Sequence, residues 1–439
     1  MDKRERYCIG LDIGTSSVKG VLIDDGETVL RAARVPFTYS RDEAGGITVG
    51  AQAYFDGCMS ALQQLAKGLP AGCECLVSVA SASGNLLVLD KDMLPATPIF
   101  NWQDTRVREE VGQVFPDFDY DSYYRSTGWA FDGKTFPLAL LCWLRVRHPE
   151  LLDSCGKVCM STEYMLWRLT GEWGIAPSAG TPFYLIDQTT GHYRTDILAR
   201  LGIGEEKLPP VGKTGSLLGC VSPEGAALSG LPVGTRVLLG TFDHPSAARG
   251  TGVREEGQLL LSCGSSWVGF YPVKERETAL KARMLVDPFL SEAGGCWAGM
   301  VSLASVSGRI EAYTRRYVSD GPACYKQLVE FAAQSEPGAG GLRLDILSDE
   351  IPAGIEGCER RHIARAIMEN VVDMLACRIE ELRDKGLACR EATMVGGPSE
   401  SPLWMELIAA RLGIPVHAGH GAYAGAVGAA RLAAENAEG

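Results

Sequence analysis

Residues 7–30 read YCIGLDIGTSSVKGVLIDDGETVL: an apolar stretch ending at Asp12, a Gly-Thr-Ser-Ser turn, Lys19, and a second apolar stretch closed by Asp-Asp-Gly. Ile9, Leu11 and Ile13 alternate with smaller or polar residues, and Val18, Val21, Leu22 and Ile23 resume the pattern, which predicts two strands around a tight bend. Gly14 lets backbone approach a ligand, while Thr15, Ser16 and Ser17 offer hydroxyls and amides to phosphoryl oxygens. Asp12 repels a polyanion unless a divalent cation lies between them, the usual arrangement for Mg²⁺ in phosphoryl transfer. By itself the stretch is equally readable as an ordinary hairpin with a Gly/Ser/Thr-rich turn.

The same layout recurs. EGQLLLSCGSSWVGFYPV (256–273) is again an apolar strand, a Gly-Ser-Ser turn and an apolar strand. Before it, VLLGTFDHPSAARG (237–250) places Asp243 between an apolar run and a small-residue helix. Helical spacing of three and four covers 51–69, 136–155, 161–171, 195–202 and 359–384. Then EATMVGGPSESPLWMELIAARLGIPV (391–416) predicts a strand, a Gly-Gly-Pro-Ser loop and a helix. A closing small-residue helix, GAYAGAVGAARLAA, is expected to pack beneath that loop.

The chain has 439 residues and a formal net charge of −12, enough length for two domains with their own cores. The negative charge argues against nucleic acid or an anionic membrane as partner. No apolar run reaches bilayer length, and MDKRERYCIG passes from charges into a strand without a signal-peptide core, so the expected location is the cytoplasm. The 14 cysteines are scattered, and Cys73/Cys75 and Cys155/Cys159 lack metal-ligand spacing, so they read as small buried hydrophobes. His362, in a charged helical stretch, reads as surface or interhelical. No Gly-x-x-x-x-Gly-Lys-Ser/Thr string occurs, so a nucleotide site here is not of the P-loop kind.

Taken in order, these motifs resemble the FGGY carbohydrate kinase family of the actin-like, ribonuclease H-like ATPases. GLDIGTSSVKGVL is similar to the family's first phosphate motif, SCGSSW to its second and MVGGPSESPLWMELIAARLGIPV to its adenosine motif. IFNWQDTR resembles its Trp-x-Asp-x-Arg segment, and LTGEW with APSAGTPFYLID its middle signature. The resemblance implies an α/β protein of two ribonuclease H-like (actin-like ATPase) domains, 1–245 and 246–439, with the active site in an interdomain cleft. It further implies ATP and Mg²⁺ as cofactors, a small-molecule sugar as substrate, and transfer of the γ-phosphate to a sugar hydroxyl.

The resemblance makes Asp243 the catalytic base; on the residues alone it can equally cap the following helix. Asp12, with Asp243, would hold Mg²⁺. Gly14, Thr15, Ser16 and Lys19 would surround the γ-phosphate, with a solvated strand lysine as the alternative for Lys19. Gly264 and Ser265 would supply the second set of phosphate contacts, and Gly396, Gly397, Pro398 and Ser401 would border adenine and ribose. Ser399 and Ser401 are also natural helix caps.

The sugar pocket departs from the family. Many members carry a Gly-Gln-Met-His-type segment where residues 83–87 read SGNLL, leaving Asn85 as the hydrogen-bonding candidate. GGITVGAQAYF lacks the Trp or Tyr and Glu that many relatives hold upstream. Trp102, next to Asp104 and Arg106, is either a pocket wall or core, and His244 is another candidate contact. A ketose or polyol is the expected acceptor. The alternatives are a nucleotide-switched, non-catalytic actin-like protein and a kinase for a non-sugar acceptor. No coiled coil marks an assembly mode, and a homodimer stands as the expectation.

Overall fold

The computed structural model describes residues 5–70, 72–82, 84–264, 267–303, 306–348 and 354–437. Two compact units emerge: one comprises Met1–Gly252, Met284–Ala298 and Tyr423–Gly439, the other Val253–Arg283 and Gly299–Ala422. Where the sequence reading has one cut between 245 and 246, the chain therefore returns twice to the first unit.

The first unit is built on a six-stranded sheet. Its strands are β1 (Arg6–Ile13), β2 (Ser17–Asp24), β3 (Val29–Pro36), β4 (Glu74–Ser81), β5 (Leu217–Cys220) and β6 (Arg236–Phe242), in the order β5-β6-β4-β1-β2-β3. β1 and β2 are antiparallel, with Asp12 opposite Lys19, whereas β4 runs parallel to both β1 and β6. The period-2 side-chain alternation of a strand explains the two cores. Ile9, Leu11 and Ile13 pack with Tyr54, Phe55 and Leu62 of helix α1 (Ala51–Ala66), while Cys8, Val21 and Ile23 pack with Ala426 and Ala430 on the other face.

The predicted helix over 136–155 is two: α2 (Phe136–Arg147) and a short turn, Pro149–Ser154. The break falls at His148, which takes φ −141° and ψ 53° because a residue before proline is disfavoured in the helical region. Further along are α3 (Ser161–Thr170) and α4 (Asp243–Thr251), which starts directly at the end of β6.

The second unit has its own sheet, with β7 (Gln258–Cys263), β8 (Trp267–Val273), β9 (Trp297–Leu303), β10 (Glu391–Val395) and β11 (Val416–Ala418) in the order β9-β8-β7-β10-β11. β7 and β8 form the expected second hairpin, antiparallel, with Cys263 opposite Trp267. Helices α5 (Arg360–Asp384) and α6 (Pro402–Leu412) belong to this unit.

The closing helix, α7 (Ala424–Glu435), corrects one expectation. Instead of belonging with the Gly396–Ser401 loop, it lies in the first unit against β1, β4 and α4. Its small residues permit backbone-to-backbone approach: a Cβ on Gly10 would lie 1.9 Å from the Ala426 carbonyl oxygen, and one on Gly428 1.7 Å from that of Ser246. Among the described residues no helix is long and apolar enough to cross a membrane.

Candidate active site

The hairpin turn is held by the Gly14 N–H donating to the Ser17 carbonyl (3.0 Å), and Phe37 N–H donates to the Ser16 carbonyl (2.9 Å). These bonds fix the turn's backbone, leaving the Thr15 and Ser16 side chains at its tip. At its mouth the Asp12 side chain is 12% exposed, with Lys19 Nζ 3.9 Å from Oδ2. Burial pushes the Asp12 carboxyl up to about 7; the Lys19 ammonium pulls it down, and the Asp243 charge adds to the rise. From below, α7 presses Gly425 against Asp12: a Cβ there would meet Asp12 Cγ and Oδ2 at 2.8 Å.

Asp243 is the first residue of α4, its side chain 26% exposed. The cap position is taken by Phe242, and no side-chain cap bond is made, so the capping alternative for Asp243 is not realised. Its Oδ1 accepts from the His244 N–H at 2.7 Å, and His244 Nε2 lies 3.8 Å from the same oxygen.

Trp102 falls between its two readings. Its ring stacks on Phe136 (centroids 5.8 Å apart, 20° between planes), yet it is only half-buried and its Nε1 donates to Thr15 Oγ1 at 3.1 Å. An indole thus touches the phosphate-type turn directly. Asp104 and Arg106 hold the Trp102 loop: the fully buried Asp104 accepts from Ile47 N–H and pairs with the Arg106 guanidinium, which lies over Phe100 and Trp143. Phe136, which sequence reasoning passed over, adopts φ +68°, a left-handed conformation costly for an aromatic residue. Phe136, Trp129, Tyr184 and Phe242 continue the aromatic cluster as far as the residue before Asp243.

Asn85 behaves otherwise than expected. It is buried, and its Oδ1 accepts from the Ser161 N–H at 2.7 Å, so this oxygen anchors the start of α3. Ser178 and Asp287 also escaped the sequence reading; only Ser178 lay inside a quoted motif.

In the second unit, Gly264 accepts from Ser307 Oγ through its carbonyl (2.7 Å), while Ser265 lies outside the described residues. Gly396 takes φ +92°, and a Cβ there would sit 2.2 Å from the Cys263 carbonyl oxygen, which only glycine avoids. Gly397 borders open space. Ser401 Oγ accepts from Trp404 N–H at 3.4 Å as the cap of α6, and Ser399 Oγ donates to the Gly396 carbonyl. His362 Nδ1 lies 2.8 Å from Ser335 Oγ within this unit.

The donor set suits a hard cation. Asp12 and Asp243 present carboxylate oxygens, and a carboxyl raised by burial gains from a nearby positive charge. Among the described residues no group of three or more His, Cys, Asp or Glu forms a closed metal cage. Mg²⁺ needs none, since it keeps waters and is commonly held by one or two carboxylates plus substrate phosphates.

Comparison with known proteins identifies the family of the chain. Residues 7–250 match the N-terminal domain, and residues 321–437 the C-terminal domain, of the FGGY family of carbohydrate kinases. The chain is 26% identical to autoinducer-2 kinase of Salmonella typhimurium, over 94% of this chain and 82% of that protein. It is 24% identical to xylulose kinase of Bacillus subtilis, over 98% and 88%. The crystal structure of xylulose kinase from Rhodospirillum rubrum superposes with a TM-score of 0.83 at 26% identity, covering 98% of this chain and 90% of that one. The chain belongs to the FGGY family of carbohydrate kinases, phosphotransferases that take ATP as donor and an alcohol group as acceptor.

Proposed function

We propose that this protein phosphorylates a ketose or polyol, with Asp243 as general base. The observation that carries the reading is that one residue of α7 bridges the hairpin and α4: Gly425 lies against Asp12, and its carbonyl accepts from Ser246 Oγ at 2.8 Å, three residues after the strand-end carboxylate Asp243. In this reading the acceptor hydroxyl donates to Asp243, which takes the proton as the oxygen attacks the γ-phosphorus. Lys19 and the Gly14–Ser16 turn offset and orient the phosphoryl charge. The loops at Gly264 and Gly396–Ser401 supply further nucleotide contacts, and Ser265 is assigned to the same role from the family resemblance. Asp12 and Asp243 would hold Mg²⁺, which when bound neutralises phosphate charge. Trp102 offers the sugar's C–H face an indole, and His244 offers a ring nitrogen to a hydroxyl.

One observation favours a second reading. The Asn85 Oδ1 is engaged by the Ser161 N–H and so is not offered to a sugar hydroxyl, which favours a nucleotide switch or a kinase for a non-sugar acceptor. The test is ADP production from Mg-ATP against ketoses, aldoses and polyols, in the wild type and in Asp243→Asn. Stimulation by one sugar, reduced roughly 10²-fold or more in the variant, supports the kinase reading. Nucleotide binding without acceptor-stimulated turnover moves the switch forward, and wild-type turnover in Asp243→Asn removes the general base.

A further inference from the structure

Among the fully buried carboxyl groups that the mechanism does not use is Asp287. Asp287 is 0% exposed and lies in Met284–Ala298, the segment that returns to the first unit between two stretches of the second. Its Oδ1 accepts from the Phe289 N–H at 2.8 Å, and its two oxygens lie 3.1 and 3.0 Å from Ser178 Oγ. Ser178, also fully buried, sits in the helical turn Pro177–Gly180. Its hydroxyl proton goes to Asp287, and its oxygen accepts from the Phe242 N–H at 3.3 Å. Phe242 is the last residue of β6, and Asp243 follows it.

A buried carboxylate has to gain hydrogen bonds that offset its desolvation. Here one of them, from the Ser178 hydroxyl, links Asp287 to the corner where β6 becomes α4, while the other, from the Phe289 N–H, is local. Phe242 is extended (φ −61°, ψ 158°) and Asp243 is helical, so the direction of the Asp243 side chain is set at this one peptide. The β6–β4 register is irregular between Leu238 and Thr241, just ahead of the corner. At the other side of the segment, the Arg249 guanidinium of α4 lies 6.0 Å over the Phe289 ring. The Met284–Ala298 segment therefore touches α4 near its end as well as bracing its start.

We propose that Ser178 and Asp287 are positioning residues for the Asp243 carboxylate, acting through the Phe242 backbone. The inference rests on Asp243 being the general base. Removing the Ser178 hydroxyl takes a partner from the Phe242 N–H and from Asp287 with little change of volume, freeing the corner without opening a large cavity.

The test is a double-mutant cycle with Ser178→Ala and Asp243→Asn, reading kcat, KM for ATP and acceptor, and Tm. Ser178→Ala is expected to lower kcat ~10-fold with KM for ATP little changed, since misplacement of a reacting group acts on the chemical step. In the Asp243→Asn background it should add no further loss. Asp287→Asn, which keeps the volume, should lower kcat in the same direction and serves if Ser178→Ala folds poorly. An unchanged kcat in both Ser178→Ala and Asp287→Asn, or equal losses with and without the Asp243 carboxylate, would overturn the proposal alone. Wild-type turnover in Asp243→Asn would overturn the general-base reading and the proposal with it.

Discussion

Gly425→Ala sets two opposing effects against each other at the floor of the site. Alanine in a helix interior is favoured over glycine by about 0.5–1 kcal/mol; Gly425 is the second residue of α7, so propensity alone predicts a gain of at most this size. Against this, the new methyl would lie 2.8 Å from Asp12 Cγ and Oδ2 and 3.2 Å from Cβ. Ordinary contact begins near 3.4 Å, so roughly 0.6 Å has to be found. Helix α7 cannot supply it by backing away without cost, because Gly428 and Gly10 already hold its backbone against Ser246 and β1. The displacement falls on Asp12, and overpacking costs about 1–3 kcal/mol, which outweighs the helical gain. At about 2–4 °C per kcal/mol, Tm should fall by up to about 10 °C. Calorimetry should be paired with turnover at varied Mg²⁺, where half-saturation shifts to higher Mg²⁺. Gly308→Ala, in the helix Val306–Tyr317 with no atom within 4 Å of its Cβ position, is the control and should raise Tm slightly. A Gly425→Ala protein as stable and as active as the wild type would refute the account of α7 as the support of Asp12.

Trp102→Phe keeps an aromatic ring on Phe136 but loses the bond to Thr15; a net hydrogen bond of about 0.5–1.5 kcal/mol predicts a roughly 2–10-fold loss in kcat/KM for the acceptor, and an unchanged value would make the contact incidental. Burial pushes the Glu163 carboxyl up to about 7 against the pull of backbone amides that include Met160's. Because this acid holds its proton more tightly folded than unfolded, its contribution to stability is complete below about pH 4 and is lost as pH rises through about 7. Glu163→Gln, which keeps an acceptor for Met160, should therefore show a smaller fall in Tm from pH 5 to pH 8 than the wild type; an equal fall in both would exclude the group.

Both hairpins were legible because a strand's period and a turn's chemistry are local: β1–β2 and β7–β8 obey the first, and the Gly14–Ser17 turn the second. The loop before α6 was legible for the same reason, down to Ser401 as its cap. What the sequence withheld is where side chains spend their hydrogen bonds. Nothing near Asn85 signals that Ser161, 76 positions away, would claim its oxygen. Nor does any spacing connect Ser178 with Asp287, 109 positions apart. The small residues of α7 announced close packing without naming the partner, since alanine and glycine carry no pattern that separates one backbone from another. The break at His148 was readable from Pro149 and was outvoted by helical periodicity on both sides.

The address of α7 also bears on how the protein is made. Residues 424–435 leave the ribosome after the whole second unit, yet they cover Cys8, Val21 and Ile23 and support Asp12. Domains generally fold as they emerge, N-terminal first. Here the earlier-synthesised unit has to wait with one apolar sheet face uncovered until residues 424–435 arrive. A nascent chain stalled before residue 424 would lack the cover of Cys8, Val21 and Ile23 and the support of Asp12.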